Sequence, residues 1–180
     1  LLDEESGEYN VSFIKRFLSD LPLKLINLCY REQGFIVSKG NPFNIQAFND
    51  IIAKDLSFIN RQKGAGTRLL TDKILRDSGL EPEQIAGYNH EEYTHMNVAA
   101  AVLSGSVDVG MGIRAAALAL DLDFVPIAEE RYDLIVPTLF LDDARIKAAL
   151  ELMSNDTFSS RIEDLGGYNL RNCGSVMYEQ

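Results

Sequence analysis

The sequence predicts an α/β protein with largely parallel sheets and helices on both faces. From Leu23 onward, short apolar runs rich in branched residues alternate with amphipathic stretches of helical period, the order that successive βα units produce. Turn punctuation falls between them, at Asn41-Pro42, Gly79, Gly105 and Gly166-Gly167. No internal repeat, low-complexity tract or proline-rich linker divides the chain.

The opening LLDEESGEYN, an apolar pair followed by an acidic turn, resembles the end of a strand more than the start of a domain. VSFIKRFLSD is read as a short helix with Phe13, Phe17 and Leu18 on one side. LKLINLCY and GFIVSKG are read as extended. After the Asn41-Pro42 turn a helix follows, with Asn44 as its expected N-cap. LSFIN is a short strand, and TRLLTDKILRDSG a helix with Thr67 as expected cap and Gly79 as its stop. IAGYN is read as another strand, EYTHMNVAAAVLSG as a helix ended by Gly105, and VDVGMGI as a strand. RAAALALD is helical, and DFVPIA and DLIVPTLF are extended. Ile146, Ala149, Leu150 and Met153 share one face of the next helix, and TFSSRIEDLGGYN closes with a helix stopped by glycine.

A chain of 180 residues with 46% hydrophobic content can bury one domain core, or two small lobes. A formal net charge of -10 argues against direct nucleic-acid or anionic-membrane binding, because the bulk field repels phosphates. It leaves room for a local anion site. The longest apolar run is far short of the roughly 20 residues that span a bilayer. Cys29 and Cys173 are read as two buried thiols rather than a disulfide. With only His90 and His95 and no zinc-ligand spacing, neither a metal site nor a cofactor is predicted. No signal peptide is recognisable, and the compartment stays open.

In parallel α/β sheets, ligands sit beyond the carboxyl ends of strands, beside helix N-termini. Loops at those positions carry suggestive chemistry. The first is NRQKGAGTR. Gly64, Ala65 and Gly66 let backbone N–H groups approach an anion, helix entry at Thr67 adds a hydroxyl and a positive dipole end, and Arg61, Lys63 and Arg68 supply charge. It is no Walker loop, since no lysine precedes Thr67, and no G-x-G-x-x-G, since Leu69 fills the last glycine position. A surface turn with solvated charges is the alternative.

The second is EEYTHMN, where Tyr93, Thr94 and His95 open a helix whose first N–H groups are unpaired. His95 is either a ligand group or a packing residue. The third is VDVGMGIR, where Gly110 and Gly112 permit close backbone approach. Asp108 is read as a structural hydrogen-bonding group, and for Arg114 cleft and surface positions stand level. Ser104 and Ser106 lie in a helix-to-strand turn without a base or a G-x-S-x-G elbow, so nucleophilic catalysis is not predicted.

The strings FINRQKGAGTRLLTDKIL, GYNHEEYTHMNVAAAVLSGSVDVGMGI, LDFVPIAEERYDLIVP and LGGY resemble the type II periplasmic-binding-protein-like domain related to periplasmic molybdate-binding proteins. That domain occurs linked to molybdopterin biosynthesis proteins, to helix-turn-helix regulators, or alone. More distantly, the element order resembles the effector-binding domain of LysR-type regulators. The resemblance implies two α/β lobes joined by two crossover strands, LKLINLCYREQGFIVS and AEERYDLIVP, with a ligand clamped between the lobes. Residues 1–40 and 127–180 are then expected to form a first lobe and residues 41–126 an inserted second lobe. The family carries a further strand-helix stretch upstream with a ligand-facing loop, so the first lobe is expected to be incomplete at its N-terminus.

The resulting expectation is a non-catalytic domain for a small oxyanion, molybdate or tungstate, held by residues of all three loops. A fused or partner biosynthetic or helix-turn-helix domain, and pairing with a second copy as a homodimer, go with it. An effector sensor for an organic or pterin-like ligand is the second reading. An enzyme acting on a phosphorylated substrate is a third.

Overall fold

The computed structural model describes Asp3 and residues 9–180; most of the opening LLDEESGEYN lies outside them. In chain order the elements are α1 (Val11–Phe17), β1 (Leu23–Val37), α2 (Phe48–Ala53), β2 (Phe58–Arg61) and α3 (Gly66–Asp77). They continue with β3 (Glu91–Glu92), α4 (His95–Leu103), β4 (Val109–Ile113), α5 (Arg114–Ala119) and β5 (Asp123–Pro137). The chain closes with α6 (Ala144–Met153), α7 (Asp156–Asp164), β6 (Tyr168–Asn169) and β7 (Val176–Glu179).

The chain forms two compact units. One comprises the described residues up to Arg31 together with Glu129–Gln180, and the other is Glu32–Ala128. The segments read separately as LKLINLCY and GFIVSKG are one strand, β1, and DFVPIA and DLIVP are likewise continuous in β5. Both strands contribute residues to both units.

In the Glu32–Ala128 unit the strand order is β3-β2-β4-β1-β5. β2 pairs in parallel with β3 and β4, whereas β1 runs antiparallel to β4 with Gly34 opposite Gly112. The sheet is therefore mixed rather than wholly parallel. Phe35, Phe48, Phe58 and Met111 centre one core, with Phe35 and Phe48 edge-to-face at 4.9 Å. Ile36, Ile59, Val98 and Ala117 centre another, under α4 and α5. Such burial of large apolar side chains, at roughly 1.5–3 kcal/mol each, is what holds a sheet of short strands together.

In the other unit, β6 and β7 both pair antiparallel with β1. Val11 and Ile14 of α1 pack on Leu23 and Leu25, and Phe17 of the expected apolar side is 66% exposed. A seven-residue helix presents only one face, and Val11 and Ile14, three apart, define it. Ile146, Leu150 and Met153 of α6 face Ile26 and Val136, while Ala149 is exposed.

Local expectations fail where propensity competes with turn geometry. Asn44 is not a cap; it sits at φ 47 in a turn, and Asp50 of α2 instead accepts the N–H groups of Gln46 and Ala47. IAGYN is not a strand: its backbone turns, with Gly87 at φ 88, and a Cβ there would strike the carbonyl of Phe58. The short strand falls later, at Glu91–Glu92.

Candidate functional site

Within the Glu32–Ala128 unit, β2 runs into α3 and β3 into α4, and the strands are parallel neighbours. The N-termini of both helices therefore lie at one edge of the sheet. β4 ends at the same edge and leads into α5.

The α3 start differs from the expectation. Its N-cap is Ala65, which has no side-chain oxygen and makes no side-chain cap bond, and Thr67 lies inside the first turn, 1% exposed. Gly64 supplies the turn at φ 86 with open space where a Cβ would stand, and the Ala65 N–H donates to the Gln62 carbonyl. The first-turn N–H groups of Gly66, Thr67 and Arg68 follow. Helix starts present such donors by geometry, and the macrodipole makes them attractive to anions.

The α4 start matches its expectation. Thr94 is the N-cap, extended at φ -131, and its hydroxyl oxygen accepts the Asn97 N–H at 3.0 Å. A hydroxyl that accepts retains its own hydrogen to donate. His95 is the first helical residue, and the position of a Cβ on Gly112 would be 3.5 Å from its Nδ1.

Arg61 ties the two starts together. Its Nε donates to the Glu92 carbonyl at 3.2 Å and its Nη2 to the Tyr93 carbonyl at 2.9 Å, while the Gln62 N–H also reaches the Glu92 carbonyl. Asn97 Nδ2 donates to the Glu92 carboxylate at 2.9 Å. The Tyr93 side chain is 72% exposed, and Lys63 is exposed.

The other residues singled out in the three loops have protein partners or close neighbours in this unit. The Arg68 guanidinium is buried, paired with Asp72 at 3.0 Å and Glu91 at 2.9 Å, and stacked 4.2 Å from the Tyr88 ring centre. Gly110 and Gly112 are buried in β4. A Cβ on Gly110 would strike Val98 and approach Ile59 to 2.8 Å, and one on Gly112 would approach Ile36 to 2.7 Å. Their missing side chains bring α4 onto the sheet. Asp108 accepts the Ser57 N–H at 2.8 Å and the Ser57 hydroxyl at 2.6 Å, the structural role expected of it. Arg114 pairs with Glu32 at 2.9 Å, both partly exposed.

The strand reading passed over Asn60, fully buried, whose Oδ1 accepts the Arg61 N–H and whose Nδ2 donates to the Tyr88 carbonyl at 3.3 Å. A polar residue closing the apolar run FIN was the available signal.

The remaining unit holds an apolar cavity of about 290 Å³ between β1 and α7, bordered by Cys29, Arg31 and Tyr132. Both cysteines are free, Cys29 buried and Cys173 half-buried. Burial pushes the Cys29 thiol up to about 11. Among the described residues, no helix is long and apolar enough to cross a membrane.

The parallel strands feeding helix starts, in a chain whose longest strands run through two compact units, define a periplasmic-binding-protein-like ligand-binding domain. A profile of PBP superfamily domains matches residues 1–154, and the chain belongs to that family. It is 37% identical over 179 residues to the uncharacterized protein YvgK of Bacillus subtilis, covering 99% of this chain and 58% of that protein. The chain thus spans less than two thirds of that relative's length. Among solved structures, a substrate-binding domain assigned to a molybdenum ABC transporter from Clostridium difficile aligns with a TM-score of 0.57 at 14% identity, covering 88% of this chain and 71% of that one. The amino acid transporter substrate-binding protein AbpA of Streptococcus pneumoniae, bound to L-arginine, aligns with a TM-score of 0.55 at 17% identity, covering 82% and 62%. These likenesses establish the fold.

Proposed function

We propose that this chain is a non-catalytic binding domain for a small tetrahedral oxyanion, molybdate or tungstate, recognised at the paired helix starts of α3 and α4. The observation that carries the reading is the Ala65 N-cap: a twelve-residue helix begins there without a side-chain cap, just after a glycine at positive φ. Four oxygens carrying two negative charges match a set of neutral N–H and O–H donors. Such donors stabilise the anion without burying a full countercharge. In this reading the N–H groups of Gly66 and Thr67 and the Thr94 hydroxyl donate to the ligand, and Arg61 holds the two loops in register. Arg68, Gly110 and Gly112 act indirectly, by fixing α3 and α4 on the sheet. The molybdenum assignment of the Clostridium difficile neighbour supports this choice of ligand.

A carboxylate could use the same donors, and the arginine bound to AbpA favours an organic ligand as the second reading. Isothermal titration with molybdate, tungstate, sulfate and L-arginine separates them. Saturable heat is expected for molybdate or tungstate. Heat with L-arginine alone overturns the oxyanion assignment.

The decisive variant is Ala65→Asp. Its carboxylate would cap α3 from the position proposed for the ligand. Thermal stability should rise, by about 0.5–2 kcal/mol for a restored cap, while oxyanion binding disappears. Retained binding together with increased stability would place the ligand elsewhere.

A further inference from the structure

The cavity between β1 and α7 belongs to neither helix start. Its volume of about 290 Å³ is roughly ten times the 30 Å³ share of one water in the liquid. The volume lies at the lower edge of the about 300–1,000 Å³ range of small-molecule pockets. Leu28 of β1 and Phe158 and Ile162 of α7 line it, and Leu165 and Tyr132, both partly exposed, border it.

Its polar groups are few. The Cys29 thiol and the Tyr168 hydroxyl both have their pKa pushed up by burial, so at neutral pH each remains an uncharged hydrogen-bonding group. Arg31 is the one cation. Its Nε donates to the Glu130 carboxylate at 2.7 Å, with side-chain exposures of 19% and 13%, and its guanidinium lies 4.7 Å from the Tyr132 ring centre. The contact with Glu130 is made through Nε, and the two Nη groups carry the guanidinium's other N–H donors.

These features select a ligand class. Glu130 already balances Arg31, so a charged guest would lose water without gaining a countercharge. The walls are apolar and carry aromatic rings suited to stacking. The Nη groups offer hydrogen bonds to an acceptor oxygen. We propose that the cavity is a binding site for a small uncharged aromatic molecule bearing a carbonyl acceptor, with its ring against Phe158 and Ile162 and its oxygen toward Arg31.

The test uses the 180-residue chain, with methyl groups labelled for NMR and benzamide as the probe. Benzoate and benzylammonium serve as charged comparators of nearly the same shape. Benzamide should give saturable shifts at the Ile162, Leu165 and Leu28 methyls. Both charged comparators should bind on the order of tenfold more weakly, the cost of desolvating an unpaired charge. Ile162→Phe, which fills the cavity, should abolish the benzamide shifts, while Ala65→Asp should leave them intact. No saturable shift at these methyls in the unmodified chain overturns the proposal, as does benzoate binding equal to benzamide. Because the methyl shifts are read on the unmodified chain, the result stands even if Ile162→Phe fails to fold.

Discussion

Arg68 donates to the Glu91 carboxylate at 2.9 Å, joining the first turn of α3 to the strand that leads into α4. The Arg68 side chain is 4% exposed and its partner 25%, so this ion pair is shielded from much of the solvent screening that weakens surface pairs. Asp72 and the Tyr88 ring complete its surroundings. A residue first legible as anion-binding charge thus holds together the two helix starts proposed to bind the anion.

Glu91→Ala should destabilise the fold by about 1–3 kcal/mol, because a buried guanidinium loses a charged partner. Urea denaturation measures it. A midpoint unchanged from the parent would show that Asp72 alone satisfies Arg68.

At the α4 start, Thr94→Ala removes the acceptor for the Asn97 N–H and should cost about 1 kcal/mol. Thr94→Ser keeps the oxygen and should restore most of it. Under the proposed function both stability and oxyanion affinity fall in the alanine variant and recover in the serine variant. Affinity that ignores the substitution removes Thr94 from the ligand set.

The glycines divide by mechanism. Gly110→Ala places a methyl against Val98 and Ile59, and overpacking of this kind costs about 1–3 kcal/mol. Gly64→Ala meets open space but must hold φ 86, which costs an L-residue about 1–2 kcal/mol. Gly64→Asn should lose less than Gly64→Ala, since asparagine tolerates that region; no such rescue is expected at Gly110. Thermal melts of the variants test the distinction.

Alkaline stability should bear the mark of Cys29. Desolvation by burial raises its thiol from an ordinary 9.0 to about 11. Between those values the unfolded chain releases a proton that the folded chain keeps, so stability is full below pH 9 and declines as pH rises toward about 11. Cys29→Ala should flatten that part of a denaturation-midpoint profile against pH. An identical slope in the variant would assign the decline to the tyrosines Tyr9, Tyr88 and Tyr168, whose pKa values burial also raises.

The placing of two strand-to-helix joints side by side was legible because it depends on order along the chain. The run FIN followed by RQKGAGT, and EE followed by YTHMN, are strand-to-helix joints, and parallel pairing puts such joints at one edge. The Thr94 cap was legible for the same local reason: its hydroxyl reaches only three residues ahead. Thr67 misled because a threonine before an apolar run looks like a cap, although the glycines let α3 begin earlier, at Gly66. At Arg68 the acid four residues on, Asp72, was a local signal of pairing, whereas Glu91, twenty-three residues on, was not. The stacking of Arg31 on Tyr132 was not legible, because it joins residues far apart in the chain.

The sequence by itself determined the α/β class, the strand-to-helix joints, the Thr94 cap and the absence of an apolar run long enough to span a membrane. These follow from periodicity and short-range hydrogen bonding, which act within a few residues. Only the tertiary structure decided that Arg68 pairs with Glu91 as well as Asp72, that Gly110 and Gly112 lie close against Val98, Ile59 and Ile36, and that β1 and α7 border a cavity. Those outcomes depend on which distant side chains meet across the sheet, and burial and charge neutralisation are set by those meetings.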